Sequence, residues 1–269
     1  MIHCAQLDYY LTGDHHQPLI LFLHGFMGNK HEFNLAVGML GKEFSYLTVD
    51  LPGHSVQVFN SDECYEMENT AQAIISLLEQ LKIKRCFLVG YSMGGRLALY
   101  LNLHFPAYFS KVILESASPG LLTHAERLER IKSDEQIARK LERSDFTAFI
   151  NNWYKQPIFG SIHQHPEFER LIANRLQNNP RELAKSLRFM GTGRQPSLWE
   201  KLKDNKNPLL LLVGENDDKF VTVNKKILNS CPLTQLKVIS DCSHNIHFEQ
   251  TITFVTYIRK FFGSASTTY

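Results

Sequence analysis

Three observations on the 269-residue sequence predict an α/β architecture: a mostly parallel central sheet flanked by helices, with a helical lid (cap) inserted late in the chain. Short apolar runs alternate with amphipathic stretches, the pattern of strands joined by helical crossovers. The runs are almost continuously apolar, as strands covered on both faces require. The alternation stops between Leu121 and Asn205, where helical patterning continues with no strand-like run.

The elements follow in order. "LILFLH" (19–24), "SYLTVD" (45–50), "CFLVG" (86–90), "KVILESA" (111–117), "PLLLLVG" (208–214) and "QLKVIS" (235–240) are the expected strands. "NTAQAIISLLEQL" (69–81) has apolar residues at helical spacing, and "TITFVTYIRKFF" (251–262) reads as a closing helix before a polar tail, "GSASTTY", expected to fray. Inside the insertion, "QPIFG", "NNP" and "GTGRQPS" mark turns. The expected division is a core of 1–120 and 206–269 and a cap of 121–205. The cap holds 15 basic and 11 acidic residues and the rest 14 and 16, so the positive excess lies in the cap.

Composition bounds the function class. Hydrophobic residues are 43% and charged residues 21%, as in an ordinary globular chain, and a net charge of +2 gives no reason to expect a nucleic-acid or membrane-surface partner. The five cysteines, at 4, 64, 86, 231 and 242, are scattered, which predicts reduced thiols rather than a disulfide frame or a zinc site. The N-terminus lacks a basic region followed by an apolar one, and no apolar run approaches the length of a bilayer span. The expectation is a cytoplasmic protein without metal, with oligomeric state left open.

The chemistry concentrates in "LVGYSMGGRLAL" (88–99). "GYSMG" fits G-x-S-x-G with its required context, a buried strand before it and a helix after it. Such a turn exposes Ser92 at a helix N-terminus, where the dipole favours developing negative charge. Partners in the chain order Ser, Asp, His follow: Asp217 in "VGENDDKF" and His244 in "DCSHNIHFEQ", each in a loop after a predicted strand. Asp218 and His247 are the adjacent alternatives. The imidazole takes the serine proton and the carboxylate orients the imidazole. Two backbone N–H groups, of Phe26 in "LHGFMG" and of Met93, are expected to form an oxyanion hole.

Other conspicuous residues have ordinary explanations. Asp50 and His54 in "VDLPGHS" belong to a turn after a strand, and Trp153 and Trp199 are core residues by default. "GTGRQP" lacks the Lys-Ser/Thr and the preceding strand of a phosphate loop. Arg96 is different. It lies four residues past Ser92 on the same helix face, one turn away, where a guanidinium can bind a substrate carboxylate bidentately or simply pair with a nearby acid. Arg130 and Arg175, in the insertion, can face the same cleft.

Together "LHGF", "GYSMGGRLAL", "ESASPGL", "AERLER", "WYKQPIF", "GTGRQPSLW", "GENDDKF" and "SHNIHFEQ" resemble the 2-succinyl-6-hydroxy-2,4-cyclohexadiene-1-carboxylate (SHCHC) synthases, the MenH family of menaquinone and phylloquinone biosynthesis, over about residues 19–250. The resemblance implies the α/β-hydrolase fold, no cofactor, and a lyase rather than a hydrolase. It implies a polycarboxylate substrate, an enolpyruvyl cyclohexene carrying succinyl and ring carboxylates, from which pyruvate leaves. It maps the triad onto Ser92, Asp217 and His244, the carboxylate-binding arginines onto Arg96, Arg130 and Arg175, and a lid tryptophan onto Trp153. Ser243 departs from the glycine common before the histidine. A plain serine hydrolase (esterase, thioesterase or C–C bond hydrolase) leaves Arg96 unexplained, and a non-catalytic binding module leaves the three reactive groups unexplained.

Overall fold

The computed structural model describes residues 7–54, 58–160 and 162–263. Cys4 and the polar tail beyond Gly263 lie outside them. Seven strands form one sheet in the order β1-β3-β2-β4-β5-β6-β7. They are β1 (Tyr9–Thr12), β2 (Leu19–Leu23), β3 (Ser45–Val49), β4 (Cys86–Tyr91), β5 (Phe109–Glu115), β6 (Leu209–Gly214) and β7 (Thr234–Ile239). All neighbours run parallel except β1, which pairs antiparallel with β3. The sequence reading missed β1 because it is a half-exposed edge strand with no apolar run. β5 begins and ends two residues before its expected bounds, because the chain turns out of the sheet at Ser116, whose φ is +48°.

Alternate residues of each strand feed opposite layers, which explains the unbroken apolar runs. Leu21, Leu23, Leu88 and Leu211 pack with Leu97 and Leu101 of α3 (Ser92–His104) and with Ile74 and Leu78 of α2 (Met67–Gln80). Ile20, Phe22, Val89 and Leu212 pack on the other face, against Ala36 and Leu40 of α1 (Asn34–Leu40) and Phe254 and Ile258 of the closing helix, Thr251–Gly263.

Between β5 and β6 the described residues form α4 (His124–Arg143), α5 (Phe146–Trp153), α6 (Phe168–Arg175) and α7 (Pro180–Met190), with short 3-10 turns and no strand. Local chemistry starts them. Thr123 and Glu126 make a reciprocal capping box on α4, Asp145 caps α5, and Asn179 caps α7 ahead of Pro180. Their apolar faces form a cluster of their own, with Leu141, Ile150, Phe159, Leu171 and Leu187, which reaches the sheet layer through Met27. The segment leaves and returns through one neck: Leu198 N–H donates to Pro119 O at 2.8 Å and Trp199 Nε1 to Gly120 O at 2.9 Å. Leu198 and Leu202 already pack with the sheet layer, so the chain is back in the core before residue 205, the expected boundary.

β2 is followed in sequence by β3 on one side, while β4 flanks it on the other. At such a reversal of strand order the C-terminal ends of the two strands open a crevice. The loop at His24–Met27 and the turn at Ser92 both lie there.

Candidate active site

The turn that carries Ser92 is built by close packing. Ser92 begins α3 with φ at +49°, a left-handed conformation rare for a side-chain-bearing residue, and is only part-buried between Tyr91 and Met93, both buried. α3 must press against β2 and β4 to hold that turn. A Cβ on Gly94 would stand 2.5 Å from His24 O and collide with Leu23 O, and one on Gly90 would stand 2.5 Å from Gly94 O. Only glycine permits the approach.

Ser92, His244 and Asp217 meet. His244 Nδ1 lies 2.6 Å from Asp217 Oδ2, and His244 Nε2 lies 2.9 Å from Ser92 Oγ. A buried carboxylate only accepts, so Nδ1 carries the proton and Nε2 is left to accept from the Ser92 hydroxyl. Asp217 and His244 are 1% and 2% exposed, which keeps water from competing for this chain of bonds. The rings of Phe220, Tyr91 and Phe159 surround the imidazole at 4.6, 5.5 and 5.8 Å. His244 N–H also donates to Ile158 O at 3.0 Å, so the "QPIF" turn of the inserted segment touches the histidine directly.

The alternatives separate on geometry. Asp218 is exposed, the first residue of α8 (Asp218–Ser230). His247 faces away: its Nδ1 lies 2.9 Å from Glu115 and its Nε2 3.2 Å from Glu32. Burial opposes its charged form, but Glu115 and then Glu32 outweigh that and raise it to about 9. Asp50 accepts from the Lys30 N–H at 2.6 Å, and His54 sits edge-on to Phe26.

The loop after β2 is pinned by His24. Its Nδ1 lies 2.8 Å from Gly25 O and its Nε2 accepts from the Leu51 N–H at 3.0 Å. Burial holds it below its ordinary value, which favours the neutral ring this pairing needs. A Cβ on Gly25 would lie 3.6 Å from Ser92 Cβ, so the Phe26 amide starts beside the serine. Met93, the second residue of α3, has an N–H with no intrahelical acceptor. Trp153 lies tilted against Phe26 with centroids 5.3 Å apart, half-buried over this loop and packed against the apolar cluster of the inserted helices.

The three arginines divide. Arg96 is buried, and its Nη1 donates to Met190 O at 3.0 Å and to Gln195 Oε1 at 3.1 Å. Among the described residues no carboxylate lies within ion-pair distance of it. Burial, then the charge of Arg130, lowers it to about 10. Arg130 is one-third exposed and its Nε donates to Asp134 at 2.6 Å. Arg175 does not join them. It is 3% exposed, with Nη1 and Nη2 on the two Glu32 oxygens at 2.6 and 2.5 Å and Nε on the Tyr154 hydroxyl at 2.9 Å. The expectation that it presents a guanidinium to the cleft is corrected: a buried acid already occupies it.

Sequence reasoning missed Gln195, which braces Arg96 from within the "GTGRQPSLW" motif, and it missed Glu32 and Glu115, which no local signal marks. It also missed that Cys64 is disulfide-bonded, against the expectation of reduced thiols, whereas Cys86, Cys231 and Cys242 are free. A metal-capable cluster, Asp14, His15 and His16, is exposed on the turn before β2, at the opposite sheet edge. No helix of the described residues is long and apolar enough to cross a membrane.

The sheet order and the Ser-His-Asp geometry are those of an α/β-hydrolase-fold protein, and the sequence profile of the alpha/beta hydrolase fold matches residues 18–251: the chain belongs to that family. Within it, the chain belongs to the 2-succinyl-6-hydroxy-2,4-cyclohexadiene-1-carboxylate synthases. A Bacillus subtilis (strain 168) protein provisionally named as that synthase is 33% identical over 94% of this chain and 93% of its own length. The synthase of Enterobacter sp. (strain 638) is 33% identical over 86% of each chain. The structure of MenH from S. aureus superposes with a TM-score of 0.90 at 36% identity, covering 95% of this chain and 97% of that one.

Proposed function

We infer that this protein is the lyase its relatives are named for, eliminating pyruvate from 2-succinyl-5-enolpyruvyl-6-hydroxy-3-cyclohexene-1-carboxylate to leave the cyclohexadiene in menaquinone or phylloquinone biosynthesis. The observation that carries the reading is Arg96: a buried cation one turn past Ser92, held by neutral acceptors and in no ion pair among the described residues, with Asp134 acting on it only from beyond that range. Burying an unpaired charge is costly. A substrate carboxylate supplies the missing anion, with Arg130 adding charge from the insertion.

In this reading His244 accepts the Ser92 proton, and the serine oxygen takes a ring proton from the substrate. The C–H electron pair enters the ring π system, the bond to the enolpyruvyl oxygen breaks, and that oxygen leaves with its pair as pyruvate enolate, which is then protonated. Asp217 stabilises the imidazolium formed meanwhile. The amides of Phe26 and Met93 stabilise the enolate-like charge on the substrate carbonyl. Helices α4–α7 act as a cap, with Trp153 covering the oxyanion loop and Phe159 shielding the imidazole from water.

The test compares pyruvate release from the enolpyruvyl substrate with cleavage of p-nitrophenyl esters by the same preparation. Pyruvate release should exceed ester cleavage in kcat/KM. Rapid ester turnover with no pyruvate formed would overturn the lyase reading in favour of a serine hydrolase.

A further inference from the structure

Behind the triad runs a buried chain of alternating charges that the reaction does not use. Glu115, at the end of β5, lies 2.9 and 3.0 Å from His247 Nδ1 and also accepts the His247 N–H at 3.0 Å. His247, on α9 (Ile246–Glu249), reaches Glu32 with its other ring nitrogen at 3.2 Å. Glu32, in the loop after β2, takes both terminal nitrogens of Arg175 at the end of α6. Arg175 Nε then donates to the Tyr154 hydroxyl, one residue past α5. The side chains of the four ionic members are at most 4% exposed.

Both nitrogens of His247 face carboxylates, which only accept, so the ring is doubly protonated and the four charges cancel. An apolar set of similar volume would stabilise the fold at least as well, because desolvating ions is costly. What the ionic chain adds is direction. It joins three elements of the sheet layer to two helices of the insertion. Its far end is the neighbour of Trp153, which lies over Phe26. The Tyr91 ring stands between the chain and the triad, 4.8 Å from His247 and 5.5 Å from His244.

We propose that Glu115–His247–Glu32–Arg175–Tyr154 is a latch that seats α5 and α6 over the reactive serine, and that Arg175 is a positioning residue acting through Glu32 rather than a ligand of the substrate. The proposal rests on reading α4–α7 as a cap, but its first readout needs no substrate and is independent of which reaction the enzyme performs.

The chain has two tryptophans, so Trp199→Phe leaves Trp153 as the sole reporter of cap seating. In that background Glu32→Gln, Arg175→Met, the double variant and the milder Tyr154→Phe are compared, without substrate by emission and with it by kinetics. If the latch operates, each single variant red-shifts Trp153 emission, and Glu32→Gln and Arg175→Met each lower kcat/KM by about ten- to a hundredfold through kcat, since a displaced constellation loses rate. The double variant then falls no further than the worse single variant, within about twofold, because both break one link. Parental emission and kinetics in Glu32→Gln, with Arg175→Met raising KM alone, would overturn the proposal and return Arg175 to the substrate. Additive losses in the double variant would overturn it too. Should Glu32→Gln fail to fold, Tyr154→Phe decides: a red shift supports the latch, and parental emission refutes it.

Discussion

Arg96→Met separates stability from function, and the structure sets the size of both effects. Methionine keeps an unbranched chain of similar reach but removes the charge. In the free protein that charge is disfavoured: burial, with Arg130 beside it, lowers Arg96 from 12.5 to about 10, equivalent to about 3 kcal/mol against the charged form. The substitution relieves this penalty but strips a donor from Met190 O and Gln195 Oε1, at about 1–3 kcal/mol. The two contributions nearly offset, so the unfolding midpoint in denaturant should stay within about 1–2 kcal/mol of the parent. Turnover has no such compensation. Two hydrogen bonds from a guanidinium to a substrate carboxylate, at about 1.5–3 kcal/mol each, imply about 3–6 kcal/mol of lost transition-state stabilisation. Pyruvate release should fall about 10²- to 10⁴-fold in kcat/KM. A variant retaining kcat/KM within about threefold would show that Arg96 binds nothing in the transition state. A variant losing more than about 3 kcal/mol of stability would show that its role is architectural.

Four further outcomes are expected. Ser92→Ala should fold like the parent and lose at least about ten-thousandfold in turnover; residual pyruvate release near the parental rate would remove the serine from the mechanism. Asp217→Asn should cost about 10⁴-fold in kcat with an unchanged unfolding midpoint, because the amide favours the wrong imidazole tautomer. His247 is raised from 6.5 to about 9 by Glu115 and Glu32 against the opposing effect of burial, with Arg175 beyond Glu32 and the Tyr91 ring packed against it. Its stabilising contribution is therefore complete below pH 6.5 and is lost as pH rises through about 9, a change of about 3 kcal/mol. Denaturant unfolding at pH 6, 8 and 10 should show that decline in the parent and a flat profile in His247→Gln; a parent equally stable at all three would contradict the assignment. Gly94→Ala should destabilise by about 1–3 kcal/mol, because its Cβ meets backbone carbonyls of the strand end that cannot move aside, and an unchanged melting temperature would show that α3 can retreat.

Several of these outcomes concern residues whose geometry could be read in advance, and others do not. That Ser92, Asp217 and His244 come together was legible because each carries a local signature, a strand-to-helix turn for Ser92 and a short loop after a strand for the other two, and because parallel strands deliver all their C-terminal ends to one edge. Arg96 was legible by helical spacing alone. Arg175 was placed correctly on a helix of the insertion but assigned the wrong partner, since Glu32 lies 143 residues earlier with nothing near it to announce a buried acid. Gln195 is 99 residues from the arginine it braces. β1 was invisible for the opposite reason: a four-residue edge strand buries too little to leave a pattern.

The sequence by itself determined the layers, because period-two and period-3.6 burial are written in neighbouring residues, and it determined which segment interrupts them. It determined the strand-to-helix turn that carries Ser92, whose neighbouring glycines admit the close approach of helix to strand. Tertiary structure alone decided which cations are free to meet a substrate. Arg96, Arg130 and Arg175 are chemically identical in the chain; Arg130 meets Asp134 one turn along its own helix, but only the way the inserted helices come down on the sheet brings Arg175 to Glu32 and leaves Arg96 with Met190 O and Gln195 Oε1 instead of an ion pair.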